Sequence, residues 1–231
     1  MRILITRPLE DGEEIASTLT TLGHEPLLAP MLSTHFHDGT APALDDVQAI
    51  LATSANGVRA FARLSPMRDI PVFAVGPQTT AEALGFGFTT VRNADGDALM
   101  LARATAGWAD AKKGALLHVC GEEAPGTLGA ALTPLGFAVR RAELYRVDAA
   151  PALPDAARIA LEEGKIEGAL FYSARSARVF SDLTAHLSIQ AVEAFCISPA
   201  TASALDPVRF RTLHVAAAPN QDALLALLPP A

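Results

Sequence analysis

Leu51-Ala52-Thr53-Ser54-Ala55-Asn56-Gly57-Val58-Arg59-Ala60-Phe61 returns later in the chain as Leu170-Phe171-Tyr172-Ser173-Ala174-Arg175-Ser176-Ala177-Arg178-Val179-Phe180. In both copies an apolar strand segment runs into a hydroxyl-bearing turn and then a helical segment. Two further matches follow in the same order. Phe73 with Gly76-Pro77-Gln78-Thr79 matches Phe195 with Ser198-Pro199-Ala200-Thr201, and Asp97-Ala98-Leu99 matches Asp222-Ala223-Leu224. The spacing between copies grows only in segments that read as loops, where insertions are tolerated. Ordered repetition of this kind predicts two domains of one design.

The flanking sequence has the same grammar. Ile3-Leu4-Ile5 is a short apolar run with no polar face, as in a buried parallel strand. Asp11 and Glu14 have the spacing of a capping box, and Ile15, Leu19 and Leu22 then fall on one helix face. Gly23 stands where a helix-ending glycine belongs, and Pro26 to Leu32 reads as extended. Further strands are expected at Ala49–Ala52, Val72–Val75, Leu116–Val119, Phe137–Val147, Gly168–Phe171, Ala194–Ile197 and Thr212–Val215. Helices are expected at Val58–Leu64, Thr79–Leu84, Leu128–Leu135 and Gln221–Leu228, and Pro151 and Pro154 mark a boundary. Strands alternating with helices imply an α/β fold with parallel sheets.

Composition excludes several classes of function. The 231 residues carry a net charge of −7 and a mean hydropathy of +0.27. That combination rules out a disordered chain, and the acidic balance argues against a nucleic-acid partner. Only two cysteines, Cys120 and Cys196, are present, far apart, which fits a reducing compartment. No run of about 18 apolar residues marks a membrane span, and no signal-peptide core precedes Pro8. A soluble cytoplasmic protein is expected.

Familiar catalytic signatures are missing: there is no phosphate-binding glycine loop, dinucleotide fingerprint or nucleophile elbow. His35 and His37 lack a third partner that would make them metal ligands, and no metal is expected. What remains is a set of hydroxyl-bearing strand-to-helix turns containing Thr53, Ser54, Thr79, Ser173 and Thr201. Such turns either cap helices or, with exposed helix amides, bind carboxylate or phosphate. Tyr145, one of two tyrosines, lies in an extended segment. It is either a ring-packing strand residue or, as a phenol protonated at neutral pH, a proton donor.

At these residues the chain resembles the uroporphyrinogen-III synthase family. The resemblance is carried by Ile3-Leu4-Ile5-Thr6-Arg7-Pro8, Leu22-Gly23-His24-Glu25-Pro26 with Pro30, Thr53-Ser54-Ala55-Asn56-Gly57-Val58, Val75-Gly76-Pro77-Gln78-Thr79, Leu144-Tyr145-Arg146 and Ile197-Ser198-Pro199-Ala200-Thr201-Ala202. It implies two similar doubly wound parallel-sheet domains joined by a two-stranded linker. One domain would be discontinuous, 1–33 plus 149–231. The other would be the insert 34–148, with linker strands near 30–37 and 143–149 and the active site in the cleft between the domains. The implied reaction is cofactor-free. Hydroxymethylbilane loses water, ring D inverts through a spiro intermediate, and the macrocycle closes as uroporphyrinogen III. Positioning a flexible tetrapyrrole is the main task of such an enzyme. The resemblance casts Tyr145 as proton donor to the departing hydroxyl. It casts Arg7, Thr53, Ser54, Thr79, Ser173 and Thr201 as partners of the substrate's carboxylates. The partner is thus a small molecule, with no nucleic acid and no membrane, and the protein is expected to be a monomer.

Three positions and one turn depart from the family pattern: Asn56 and Glu193 stand where some relatives carry Arg and Lys, Ser198 replaces a Gly, and Cys120-Gly121-Glu122-Glu123 is acidic where an Arg-bearing turn is common. The alternative reading is a non-catalytic two-lobed sensor of an anion or tetrapyrrole. Analysis of the product isomer from hydroxymethylbilane discriminates the two.

Overall fold

A computed structural model describes residues 1–230. The chain runs β1 (Arg2–Ile5), α1 (Leu9–Thr21), β2 (Glu25–Leu28), β3 (Leu32–Phe36), β4 (Val47–Ala52), α2 (Ala55–Leu64), β5 (Val72–Ala74), α3 (Pro77–Gly85), β6 (Val91–Asn93) and α4 (Ala98–Trp108). It continues β7 (Ala115–Gly121), α5 (Thr127–Leu132), β8 (Val139–Ala149), α6 (Asp155–Glu162), β9 (Gly168–Phe171), α7 (Ala174–Leu183), β10 (Glu193–Cys196), α8 (Pro199–Ala202), β11 (Thr212–Val215) and α9 (Gln221–Leu225). Contacts divide it into a first unit, Met1–Ser33 with Asp148–Ala231, and a second, Thr34–Val147. The divisions fall inside β3 and β8, which are neighbours in one sheet.

The first unit has the strand order β2-β1-β9-β10-β11, and every neighbouring pair is parallel. The second has β8-β7-β4-β5-β6, again parallel throughout, with β3 added beyond β8. The repeated sequence segments occupy β4 and β9, at the same place in the two orders. Matching outward pairs β7 with β1 and β8 with β2. The two sheets are therefore circular permutations of one arrangement. The strand–helix–strand that opens the first unit corresponds to the one that closes the second.

Both faces of each sheet are covered, which explains the uninterrupted apolar strands. In the second unit Ile50 and Ala52 pack under α2 and α3 with Val58, Phe61 and Ala83. Ala49 and Leu51 face the other way, onto Leu101 of α4 and Leu128 and Leu132 of α5. In the first unit Ala169 and Phe171 meet Ala177 and Phe180 of α7, while Ile3, Ile5 and Leu170 meet Ile15 and Leu19 of α1 and Leu224 of α9.

Two local expectations change. The capping box at Asp11 and Glu14 does not form: α1 begins after Pro8 with no side-chain cap, and Asp11 instead holds Arg7 at 2.6 Å. The helix starts two residues before Asp11, so its carboxylate is past the cap position and pairs with Arg7 four residues back. Strand β6 and helix α4 lie in a stretch where the sequence reading identified no element; Asp97 starts α4 by accepting from the Leu99 and Met100 amides. Gly23 does end α1, with φ at 84°.

Candidate functional site

Where neighbouring connections of a parallel sheet run to opposite faces, a crevice opens beyond the carboxyl ends of the strands. In the second unit α2 leaves β4 for one face and α5 leaves β7 for the other, so the switch point lies between β4 and β7. In the first unit it lies between β1 and β9, by the same logic with α1 and α7. Each sequence-derived candidate sits at or beside one of these two edges.

In the second unit β4 is followed by Thr53 and Ser54. Gly57 lets the start of α2 come down on β7, because a Cβ there would stand 2.5 Å from the Val119 carbonyl oxygen. Ser54 occupies the N-cap of α2 without capping it. Its Oγ lies 3.0 Å from the Tyr145 hydroxyl instead.

A register change delivers Tyr145 to this point. Strands β7 and β8 pair one to one as far as Cys120 and Glu143, and then Gly121 pairs with Tyr145, leaving Leu144 as the extra residue. Side chains alternate along a strand, so without the extra residue Tyr145 would point to the opposite face from Leu144. With it, Leu144 and Tyr145 both enter the core beneath α2 and α3. The ring lies against Gly121, where a Cβ would meet Cε2 at 2.9 Å and Cζ at 3.1 Å. Phe36 packs at 6.4 Å between centroids. Burial raises the Tyr145 pKa above its ordinary value; hydrogen bonding by Ser54 and by the Gly121 backbone pulls the other way. The phenol is protonated at neutral pH and already has partners suited to a phenolate.

Thr53 is partly exposed, and its Oγ1 is 3.0 Å from Nε2 of His118 on β7. His118 is buried, and burial together with the nearby Arg141 cation depresses its pKa to about 4. Thr79 is buried in the first turn of α3, at the end of the next strand.

In the first unit Arg7 follows β1. It pairs with Asp11 and lies 4.8 Å from the centre of the Tyr172 ring. The Tyr172 hydroxyl is buried without a hydrogen-bond partner. Ser173 caps α7, accepting from the Ser176 amide at 3.0 Å, and its Oγ is 2.9 Å from that of Ser176. Thr201 is buried; its amide donates to Ser198 Oγ at 3.2 Å and its hydroxyl is 3.0 Å from the same atom. Thus Thr53, Ser54 and Tyr145 are joined at one switch point, with Thr79 at the next turn. Arg7 and Ser173 flank the other, with Thr201 at the next turn.

The departures from the family pattern have local roles. Asn56 donates to Thr34 Oγ1 and accepts from Arg59, which also holds Glu82 at 2.7 and 2.9 Å. Glu122 pairs with His37 at 2.9 Å. Glu193 begins β10, at the sheet edge opposite the switch point, and meets His214 at 2.8 Å. His118 and Gly121 were missed as site residues. The available signal for His118 was one imidazole inside the apolar run Leu116-Leu117-His118-Val119-Cys120. Among the described residues no group of three or more His, Cys, Asp or Glu is placed to hold a metal ion, and no helix is long and apolar enough to cross a membrane.

Two permuted α/β units, each with hydroxyl-bearing turns beside its switch point, place the chain among two-unit doubly wound α/β proteins. The family model described as uroporphyrinogen-III synthase HemD matches residues 13–226. The chain belongs to the uroporphyrinogen-III synthase family. Its fold is similar to that of uroporphyrinogen-III synthetase from Helicobacter pylori, with a TM-score of 0.70 at 18% identity over 98% of both chains. A mutant uroporphyrinogen III synthase from Thermus thermophilus gives 0.54 at 19% identity, over 98% of this chain and 96% of that one. No curated protein matches.

Proposed function

We infer that this chain is a cyclising lyase that converts hydroxymethylbilane to uroporphyrinogen III, with loss of water and inversion of ring D, in tetrapyrrole biosynthesis. Family membership supports the reaction. The observation that carries the residue assignment is the buried phenol of Tyr145, paired with Ser54 at a switch point. Tyr145 gives its proton to the departing hydroxyl, which leaves as water. Ser54 and the Gly121 amide then stabilise the phenolate in a site where such donors need no reorganisation. The proton returns when the last carbon–carbon bond forms and the pyrrole regains aromaticity. Thr53, Thr79, Ser173, Thr201 and Arg7 hold substrate carboxylates, and the protein acts as a cytoplasmic monomer on this small molecule.

The test is turnover of hydroxymethylbilane with analysis of the product isomers. Purified protein is expected to replace the spontaneous type I product with type III, and Tyr145→Phe to lower kcat more than it raises KM. An unchanged type I share would refute the synthase reading. Equal kinetics for the Tyr145→Phe variant would remove Tyr145 from the mechanism while leaving that reading intact.

A further inference from the structure

His118 is a buried titratable side chain that this chemistry does not use. It stands opposite Leu51 on one side and Arg141 on the other, and it is 3% exposed. A polar ring there is unfavourable unless it is hydrogen-bonded. Its partner is the Thr53 hydroxyl, at 3.0 Å.

The permutation of the two units supplies a control within the same chain. His118 pairs with Leu51, and in the first unit the corresponding pair is Ile5 with Leu170. Ile5 is fully buried. An aliphatic side chain therefore satisfies the fold at this place in the sheet. What distinguishes His118 is its bond to the turn at the strand end.

A neutral imidazole has one N–H, and a threonine hydroxyl has one proton. A hydroxyl that donates to the ring presents only lone pairs to an approaching carboxylate. A hydroxyl that accepts from the ring keeps its own proton for that carboxylate. We propose that His118 is a positioning residue: its Nε2–H donates to Thr53 Oγ1 and thereby aims the Thr53 proton at a carboxylate of the tetrapyrrole. This rests on the reading above, in which Thr53 contacts substrate. The ring is neutral at pH 7, consistent with its depressed pKa.

The tautomer is read directly by long-range proton–nitrogen correlation on ring-labelled protein, with His118 assigned by its loss in the His118→Gln variant. The Nε2–H form is expected, and the Nδ1–H form overturns the proposal. Kinetics supply the second readout. His118→Ile installs the side chain of the first unit, and circular dichroism confirms folding. It is expected to raise KM for hydroxymethylbilane about threefold to tenfold, the effect of one net hydrogen bond, with kcat little changed. His118→Gln, which keeps a donor near Nε2, is expected to recover most of that loss. Thr53→Val should match His118→Ile, and the double variant should be no worse than either. If Thr53→Val raises KM and His118→Ile does not, the His118 role is wrong and the Thr53 assignment survives. If neither raises KM, both fall, while the isomer assay still judges the synthase reading independently.

Discussion

Replacing His118 has a consequence for stability that is separate from its effect on substrate. The folded ring has a pKa of about 4 against an ordinary 6.5, chiefly because burial disfavours the charged form. Between those values the unfolded chain binds a proton that the folded chain does not. Stability is therefore full above about pH 6.5 and is lost as pH falls toward 4. The limiting loss is about 3 kcal/mol, and about 2 kcal/mol of it is lost between pH 7.5 and pH 5. The chain has one tryptophan, Trp108, which packs against Phe73 in the same unit as His118. Urea unfolding followed by its fluorescence thus reports that unit. The parent protein should lose about 2 kcal/mol more than His118→Ile across this interval. A constant offset between the two proteins reflects packing and is set aside; the difference in pH slope is the measurement. Parallel slopes would show that His118 is not held neutral in the fold, and would refute this reading of the imidazole.

Two more outcomes follow from the Tyr145 environment. Gly121→Ala places a Cβ 2.9 Å from the Tyr145 ring, so the ring must leave the position in which it meets Ser54. Unfolding of the unit, again read by Trp108, should be easier by about 1–3 kcal/mol, and kcat should fall; unchanged kcat would show that the close ring contact is dispensable. Ser54→Ala removes a hydrogen bond that lowers the Tyr145 pKa, so the phenolate should form at higher pH. Ultraviolet titration in a Tyr172→Phe background isolates the signal, since the chain has only two tyrosines. A midpoint that stays put or falls would contradict the Ser54–Tyr145 contact.

The α/β class was legible because buried parallel strands are short apolar runs, and Ile3-Leu4-Ile5, Gly168–Phe171 and Ala194–Cys196 read that way without tertiary information. The repeat at Leu51 and Leu170 was legible because the same turn chemistry recurs at the same sheet position. The permutation was not, because it lies in which strands become neighbours, and the matching pairs β7 with β1 and β8 with β2 share little sequence. Strand β6 escaped because three residues, Val91–Asn93, carry no periodicity. At the site, the hydroxyl turns were visible as residue types. Their partners were not, since Ser54 meets Tyr145 across 91 positions and Thr53 meets His118 across 65.

The two copies of the turn show how one local design takes on two tasks. Ser54 and Ser173 fill the same N-cap position after equivalent strands. Ser173 caps its helix, through the Ser176 amide, as a serine there normally does. Ser54 leaves its helix uncapped, and its hydroxyl goes to Tyr145. The turns differ in part, since Ser176 stands beside Ser173 where Gly57 fills the matching place. The partner of Ser54 is set on β8, where one extra residue, Leu144, turns the tyrosine to the face on which Ser54 lies. The first unit has no counterpart: β2 follows β1 in unbroken register from Arg2–Glu25 to Ile5–Leu28 and brings no phenol to Ser173. The bulge thus separates a serine that caps its helix from one bonded to a buried phenol. The proposed tetrapyrrole substrate also shows how little net charge says about a ligand. A charge of −7 disfavours a polyanion at long range, whereas under the proposed function these hydroxyls and amides would act at about 3 Å, where local geometry outweighs the distant field.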